Sequence, residues 1–439
     1  MVEGRYSAPR GGTDKVTSAH KRALANEQRL LALGEAVERR GGTTPEAQHP
    51  PKLRRRRRRL LISGVVVVGL LVALLGGGYA YAQWRFSQIS KVNVAGEVAP
   101  VSGQPFNILS VGSDSRVGLS GLVARQTGAT SGSVSGQRSD VVKIMHINPV
   151  TDTITVLSIP RDTMVTLLAN QGDYGQFNRI NVNYRSGPSL LAQTITANFG
   201  IPISHVIQVG FAGLINAADA IGGVHLDFPY PSMDNFSGLR IRHAGCQLVT
   251  GFQALAVARS RHFQWYQNGV WNYDGSSDFG RIDRQNAFLR AMVSRIKGLS
   301  NPFTLNAFLS KIPQGIALDS NFSLNDLIGL ALKFHNLNPS SMLTFTLPTL
   351  SATDARVGDV LFVDQPAAQQ MLVKIFGSTL LAPTNPPPNE QLQTPMPPVI
   401  APAVAPPAPS SPTKSHSASV APNPTAVVPY FDPVPCTPR

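Results

Sequence analysis

Four clusters in this chain bring together residue types suited to anionic chemistry. They are Asp114-Ser115-Arg116, Arg138-Ser139-Asp140, Arg161-Asp162, and the pair Arg259/Arg261 with the run Asp278-Phe279-Gly280-Arg281-Ile282-Asp283-Arg284-Gln285. Asp-Phe-Gly is also the magnesium motif of protein kinases. That motif works only beside a G-x-G-x-x-G loop, a Val-Ala-Ile-Lys strand and a His-Arg-Asp loop, none of which occurs here, so a kinase is excluded. Two Asp carboxylates supply the hard oxygen ligands that magnesium prefers, with phosphates and water completing the shell. Arginine forks match phosphate oxygens. Singly, each Asp also reads as a turn or strand start and each Arg as a surface ion pair; the combination is what points to a metal-assisted phosphate site.

The elements that must position these residues follow from periodicity. A helix opened by Ser277 or Asp278 puts Asp278, Arg281 and Gln285 on one face. Ile282, Leu289, Val293 and Ile296 form the neighbouring apolar stripe, and Arg284 turns away, toward solvent or a structural role. Asp278 suits a helix cap, and a helix N-terminus beside Arg281 suits an anion. Arg259 and Arg261 point to one side if the helix over 251–258 stops before them and the chain extends. Asp114, Asp140 and Arg161 flank apolar strands at 106–111, 140–147 and 152–159, the last two joined as a hairpin by Asn148-Pro149-Val150-Thr151. Further helices are expected over 189–200, 211–223 and 324–337, and strands over 204–210, 224–229 and 341–349. The fold class is therefore α/β (α-β-α), a mixed central sheet flanked by helices, over about residues 105–380.

Two flanking regions define the setting. Residues 1–59 carry 15 Lys/Arg against 6 Asp/Glu, a large share of the net charge of +14, and Arg54–Arg59 abut an uncharged apolar run over 60–82. That run is long enough to cross a bilayer as a single transmembrane helix, and the basic flank orients its N-terminus toward the cytoplasm. The arginines thus read as a topology signal, and no nucleic-acid partner is expected. Residues 1–59 form a largely disordered cytoplasmic segment with a charged amphipathic helix over 20–40, and 83–104 a linker. Residues 381–439 hold 18 of the 35 prolines and read as a disordered tail. The two cysteines, Cys246 and Cys436, exclude a disulfide framework, and either pair or stand as separate thiols. Histidine spacing offers no zinc site. Arginines and paired carboxylates presented outside the membrane, where ATP is scarce, imply a polyprenyl-pyrophosphate-linked sugar.

In order and spacing, the stretches beginning at Asn107 (NILSVGSDSR), Arg138 (RSDVVKIMHINP), Thr155 (TVLSIPRDTMV), Arg179 (RINVNY), Ile221 (IGGVHLDF), Leu248 (LVTGFQALAVARSR) and Asp278 (DFGRIDRQ) resemble the LytR-CpsA-Psr family of cell-wall glycopolymer ligases, actinobacterial type, over about residues 105–375. The resemblance implies a phosphotransferase that moves a glycopolymer, arabinogalactan or a related wall polymer, from a polyprenyl-pyrophosphate carrier to peptidoglycan at the cell membrane. It implies Mg2+, with Mn2+ as alternative, on Asp114 and Asp140. Arg116, Arg138, Arg161, Arg259, Arg261, Arg281 and Gln285 take pyrophosphate-binding positions, and Asp278 and Arg161 the catalytic ones. The interval between Arg261 and Asp278 is longer than the resemblance leads one to expect, and its Trp265, Tyr266, Trp271 and Tyr273 either stack on sugars or form a surface flap. The alternatives are a pyrophosphatase acting on the same carrier, or a non-catalytic glycan scaffold or regulator.

Overall fold

The computed structural model describes residues 14–40, 52–116, 119, 121–127, 139–297, 310–311, 315–354, 356–377 and 429–437. Arg138 lies outside the described residues. The chain divides into two units, Met1–Gly78 and Tyr79–Arg439. The first holds α1 (Asp14–Arg40) and most of α2 (Lys52–Phe86). Among the described residues, one helical segment is long and apolar enough to cross a membrane, Leu61–Phe86. The helix extends past the expected 60–82 at both ends, because arginine propagates a helix well and nothing in Gln83–Phe86 breaks one.

The second unit runs β1 (Ser90–Val92), β2 (Phe106–Ser113), α3 (Gly121–Gln126), β3 (Ser139–Asn148), β4 (Thr153–Ile159), β5 (Met164–Thr166), α4 (Gln171–Tyr174), β6 (Phe177–Arg179), α5 (Pro188–Phe199), β7 (His205–Val209), α6 (Phe211–Ala220) and β8 (Val224–Phe228). It continues β9 (Ser232–Asp234), β10 (Leu239–Ile241), β11 (Gly245–Val249), α7 (Gly251–Arg259), β12 (Gln264–Gln267), β13 (Val270–Tyr273), α8 (Asp278–Lys297), β14 (Ile316–Asp319), α9 (Leu324–Lys333), β15 (Leu343–Thr346), β16 (Thr349–Asp354), β17 (Gly358–Val363), α10 (Gln365–Phe376) and β18 (Val434–Pro435).

A seven-stranded mixed sheet, in the order β1-β14-β7-β2-β3-β4-β15, carries the site. β2, β3 and β4 are antiparallel neighbours, while β7 and β15 join them in parallel. Leu109, Val111, Val142, Ile144, Leu157 and Ile159 alternate onto one face and pack with Leu191, Ile195 and Phe199 of α5 and Leu372 of α10. Ile108, Ile147 and Leu318 line the opposite face with Phe86, Phe322 and Leu324. A second cluster joins α6, α7 and α8 to β8 and β11 through Val224, Leu226, Val257, Phe263 and Phe288.

Two expectations are corrected. The span 83–104 is not simply a linker: Ser90–Val92 pairs with β14, and Phe86, Ile89 and Val94 are buried. Three strand residues are too few to show alternation in the sequence. Nor does the tail expectation for 381–439 hold to its end. β18 pairs with β8, Cys436 is disulfide-bonded to Cys246 (Cα–Cα 6.0 Å), and Phe431 stacks on Trp265 at 4.1 Å. Proline-rich composition hides this docking, which depends on a few side chains rather than on any local pattern.

Candidate active site

The site begins where β2 and β3 part. Their pairing is regular up to Gly112↔Val141 and then shifts so that Ser113 faces Ser139, which leaves Asp140 as the extra residue of a bulge. Glycine is needed at 112, since a Cβ there would lie 2.7 Å from Val141 Cβ. Asp114 follows Ser113 at the same edge, so the two predicted metal carboxylates leave neighbouring strands at one place. The Ser115 carbonyl accepts from Phe211 N, fixing 114–116 against the start of α6.

Arg161 leaves β4 through Pro160, in a turn closed by Thr163 Oγ1 donating to the Pro160 carbonyl at 2.8 Å. Its Nη1 lies 2.7 Å from Asp140 Oδ1, and its Nε 3.3 Å from Asp162 Oδ2. Asp162 also faces Arg179, at 3.5 Å.

α7 keeps Arg259 as its last residue and Ser260 is extended, so the helix stops between Arg259 and Arg261 rather than before both. The reason is Asp234, which the sequence reading missed. Its buried carboxylate accepts from Ser260 Oγ at 2.7 Å, from His262 N at 2.9 Å, and from Phe236 N and Ser237 N. Burial opposes ionisation of Asp234, but these four donors outweigh it and hold the carboxyl below its usual range. Arg259 stacks over Phe211, 4.7 Å from the ring centroid. Arg261 Nε lies 3.1 Å from Asp278 Oδ1 and its Nη2 3.5 Å from Asp140 Oδ1. Arg116 joins this group through its charge, which bears on Arg259.

Asp278 is the first residue of α8, reached through Ser277 at φ +50°. Gly280 of the Asp-Phe-Gly triplet is a packing requirement: a Cβ there would lie 2.2 Å from Ser276 Oγ and 2.4 Å from Asp274 Oδ2. One turn on, Arg281 lies 2.7 Å from Asp278 Oδ1, and its Nη2 donates to the Asp140 carbonyl at 2.8 Å. Gln285 shares that face but spends its amide on the Ala258 carbonyl, at 2.8 Å, so it ties α8 to α7. Arg284 is fully buried, not solvent-exposed, between Asp274 (2.9 Å) and Asp432 (2.6 Å). Of the four Trp and Tyr residues between Arg261 and Asp278, Trp265 turns inward onto Phe431, while Tyr266, Trp271 and Tyr273 stay exposed on the β12–β13 hairpin.

Charge is concentrated and partly buried here. Burial opposes ionisation of Asp140, yet Arg281, Arg161 and Arg261 together hold its carboxyl below the usual range. Arg281 is 3% exposed, and burial lowers its guanidinium to about 10 despite Asp278. Burial likewise lowers Arg259. Arg259 Nη1, Arg281 Nε and Asp278 Oδ2 are buried without a hydrogen-bond partner. Buried guanidinium donors lacking acceptors are costly unless an anion supplies them. A small cavity is lined by Asp140, Lys143, Ser158, Arg161, Arg281 and Gln285. Lys143 is a second residue the sequence reading missed.

Guanidinium groups and carboxylates gathered at the ends of β2, β3 and β4 mark an α/β domain with a charged, partly buried site. The LytR_cpsA_psr family model matches residues 81–376, and the chain belongs to that family. It is 32% identical over 294 residues to the probable cell wall biosynthesis protein LcpB of Corynebacterium glutamicum, covering 66% of this chain and 65% of that protein. It is 28% identical over 253 residues to the polyisoprenyl-teichoic acid–peptidoglycan teichoic acid transferase TagV of Bacillus subtilis, covering 56% of this chain and 57% of that one. The chain thus spans less than two thirds of the length of these curated relatives. The LytR-Csp2A-Psr enzyme from Actinomyces oris shares the fold, with a TM-score of 0.52 at 23% identity over 66% of this chain and 96% of that one.

Proposed function

We propose that the chain is a phosphotransferase that moves a glycopolymer from a polyprenyl-pyrophosphate carrier onto peptidoglycan. The observation that carries this reading is the set of buried, unsatisfied guanidinium donors of Arg259 and Arg281 beside Asp140 and Asp278. The relatives' names, which speak of polyisoprenyl-linked polymer, peptidoglycan and cell wall, agree with it. Arabinogalactan or a related wall polymer is the proposed cargo.

In the proposed step an acceptor hydroxyl on peptidoglycan attacks the sugar-side phosphorus. A new O–P bond forms, the bond to the bridging oxygen breaks, and polyprenyl phosphate leaves. Arg161, Arg259, Arg261 and Arg281 neutralise the charge that gathers on the phosphate oxygens, with Arg116 and Arg138 as further binding positions. Asp278 Oδ2, buried and without a hydrogen-bond partner, takes the hydroxyl proton, while Oδ1 stays against Arg261 and Arg281. Asp114 and Asp140 fit a magnesium ion, with manganese as the alternative: they are two hard oxygen donors at one bulged strand end, and the rest of the shell would come from phosphate and water. Bound there, the ion would add Lewis-acid stabilisation of the phosphates.

The proposed setting is a single-pass anchor formed by the apolar run over 60–82, with the N-terminus in the cytoplasm and the domain outside. The Cys246–Cys436 disulfide supports that side, because disulfides persist in oxidising compartments. The test is the acceptor requirement. Release of polyprenyl phosphate that rises on addition of peptidoglycan fragments supports transfer; release at the same rate without them supports a pyrophosphatase.

A further inference from the structure

Lys143 is 6% exposed, and its Nζ donates to Ser158 Oγ and to Asn286 Oδ1, both at 2.7 Å. It therefore bridges three elements: β3 where it stands, β4, and α8, which carries Asp278 and Arg281. It lines the same cavity as Asp140, Arg161, Arg281 and Gln285. An ammonium group has three donors, and two are used.

Its place on the sheet is specific. Lys143, Met145 and Ile147 share one face of β3, opposite Ser158, Val156 and Ile154 of β4. Beyond Lys143 that face is apolar: Met145, Ile147 and Ile154 belong to the cluster around Phe86, Leu318 and Phe322. Before it come Asp140 and, across the strand end, Arg161. Lys143 thus stands where the charged rim gives way to an apolar surface. A methionine there would pack without the cost of burying an amine.

We propose that Lys143 is a further anion contact of this pocket, meeting from the sheet side the phosphate that stays attached to an apolar chain. The guanidinium groups hold the other phosphate. This inference rests on the pyrophosphate reading of the site. The charged groups bearing on Lys143 are Asp283, Arg281, Arg290 and Asp278, all on α8. Burial, the largest influence, lowers its ammonium to about 7, against the attraction of Asp283. Arg281 and Arg290 push in the same direction as burial. A phosphate entering beside it reverses that balance and draws a proton onto the amine.

The experiment is calorimetry on the full-length protein in detergent at fixed magnesium, with farnesyl pyrophosphate and farnesyl monophosphate as probes. Titrations at pH 8 in two buffers of different ionisation enthalpy also count protons taken up. For the wild type, binding of either probe should be accompanied by proton uptake, on the order of one proton per site. Lys143→Met should weaken both probes alike, by ~10-fold or more, and lose the uptake. Arg161→Ala should weaken the pyrophosphate far more than the monophosphate. Equal affinities in wild type and Lys143→Met, a loss confined to the pyrophosphate, or wild-type binding without proton uptake would each overturn the assignment. The proton count is read on the wild type and stands even if the variant fails to fold. A wild type that binds neither probe would instead refute the pyrophosphate reading beneath it.

Discussion

Arg284 and Asp432 are 148 residues apart in the chain, yet Arg284 Nη1 donates to Asp432 Oδ1 at 2.6 Å inside the protein. Arg284 also donates to Asp274 and to the Ser260 carbonyl, and it lies over Phe263. One buried guanidinium therefore connects the site helix α8, the end of α7, the loop before α8 and the C-terminal segment. Removing it strands two buried carboxylates. Arg284→Met is expected to destabilise the domain by ~3–5 kcal/mol, read as a fall in chemical-denaturation midpoint.

The Cys246–Cys436 bridge spans 190 residues and fastens the same segment to β11. Serine at both positions should cost about 2–5 kcal/mol of stability, and reduction of the native protein should lower Tm by a matching amount. An unchanged Tm on reduction would mean that Trp265, Phe431 and Arg284 suffice to hold residues 429–437.

Burial raises Asp432 to about 7, Arg284 notwithstanding, with Asp274 and Asp283 adding to the rise. The folded protein then holds a proton between about pH 4 and 7 that the unfolded chain gives up. This contribution to stability is present below pH 4 and lost as pH rises through 7. Amide exchange in residues 429–437 should therefore be slower at pH 6 than at pH 8 after correction for intrinsic rates.

Lys143 has the opposite linkage. Its folded value of about 7 lies below the unfolded one, so burial costs stability that is recovered as pH rises from about 7 toward 10. Lys143→Met should accordingly stabilise the domain by a few kcal/mol, about 2–4 near pH 6, and by little near pH 10, as read from denaturation midpoints. A site residue kept at such a cost is consistent with an anion-binding role.

Trp265 and Trp271 should separate cleanly. Trp265 is 7% exposed and stacked on Phe431, whereas Trp271 is 45% exposed beside Tyr266. Trp265→Ala is expected to cost ~3–5 kcal/mol of stability. Trp271→Ala should leave stability within ~0.5 kcal/mol of wild type. If the exposed hairpin face stacks on sugar, it should also raise KM for the glycan acceptor about 10-fold while leaving pyrophosphate binding unchanged.

The strands and helices that carry the charged clusters were legible because each has a complete local signature. Alternation marks β2 to β4, and a charged face beside an apolar stripe marks α8. The grouping of Asp140, Arg161, Arg261, Asp278 and Arg281 was also legible, since all five stand where an element begins or ends. Asp234 was not: its effect is to stop α7 from across a loop, and nothing near residue 260 encodes that. Lys143 reads as one polar residue in an apolar strand, and only the pairing with Ser158 and the approach of Asn286 give it a place. Arg284 faces away from the site, as the helix period requires, but the segment that buries it comes from the far end of the chain. Such contacts depend on long-range packing, which periodicity does not report.

The most direct test of transfer uses the full-length protein with magnesium, a polyprenyl-pyrophosphate oligosaccharide and uncrosslinked peptidoglycan fragments, followed by mass spectrometry. A sugar-phosphate-glycan adduct should form with the wild type and fall by ~100-fold or more in Arg281→Ala and Asp140→Ala. Polyprenyl phosphate released without any adduct, or an adduct formed equally well by both variants, would contradict the account.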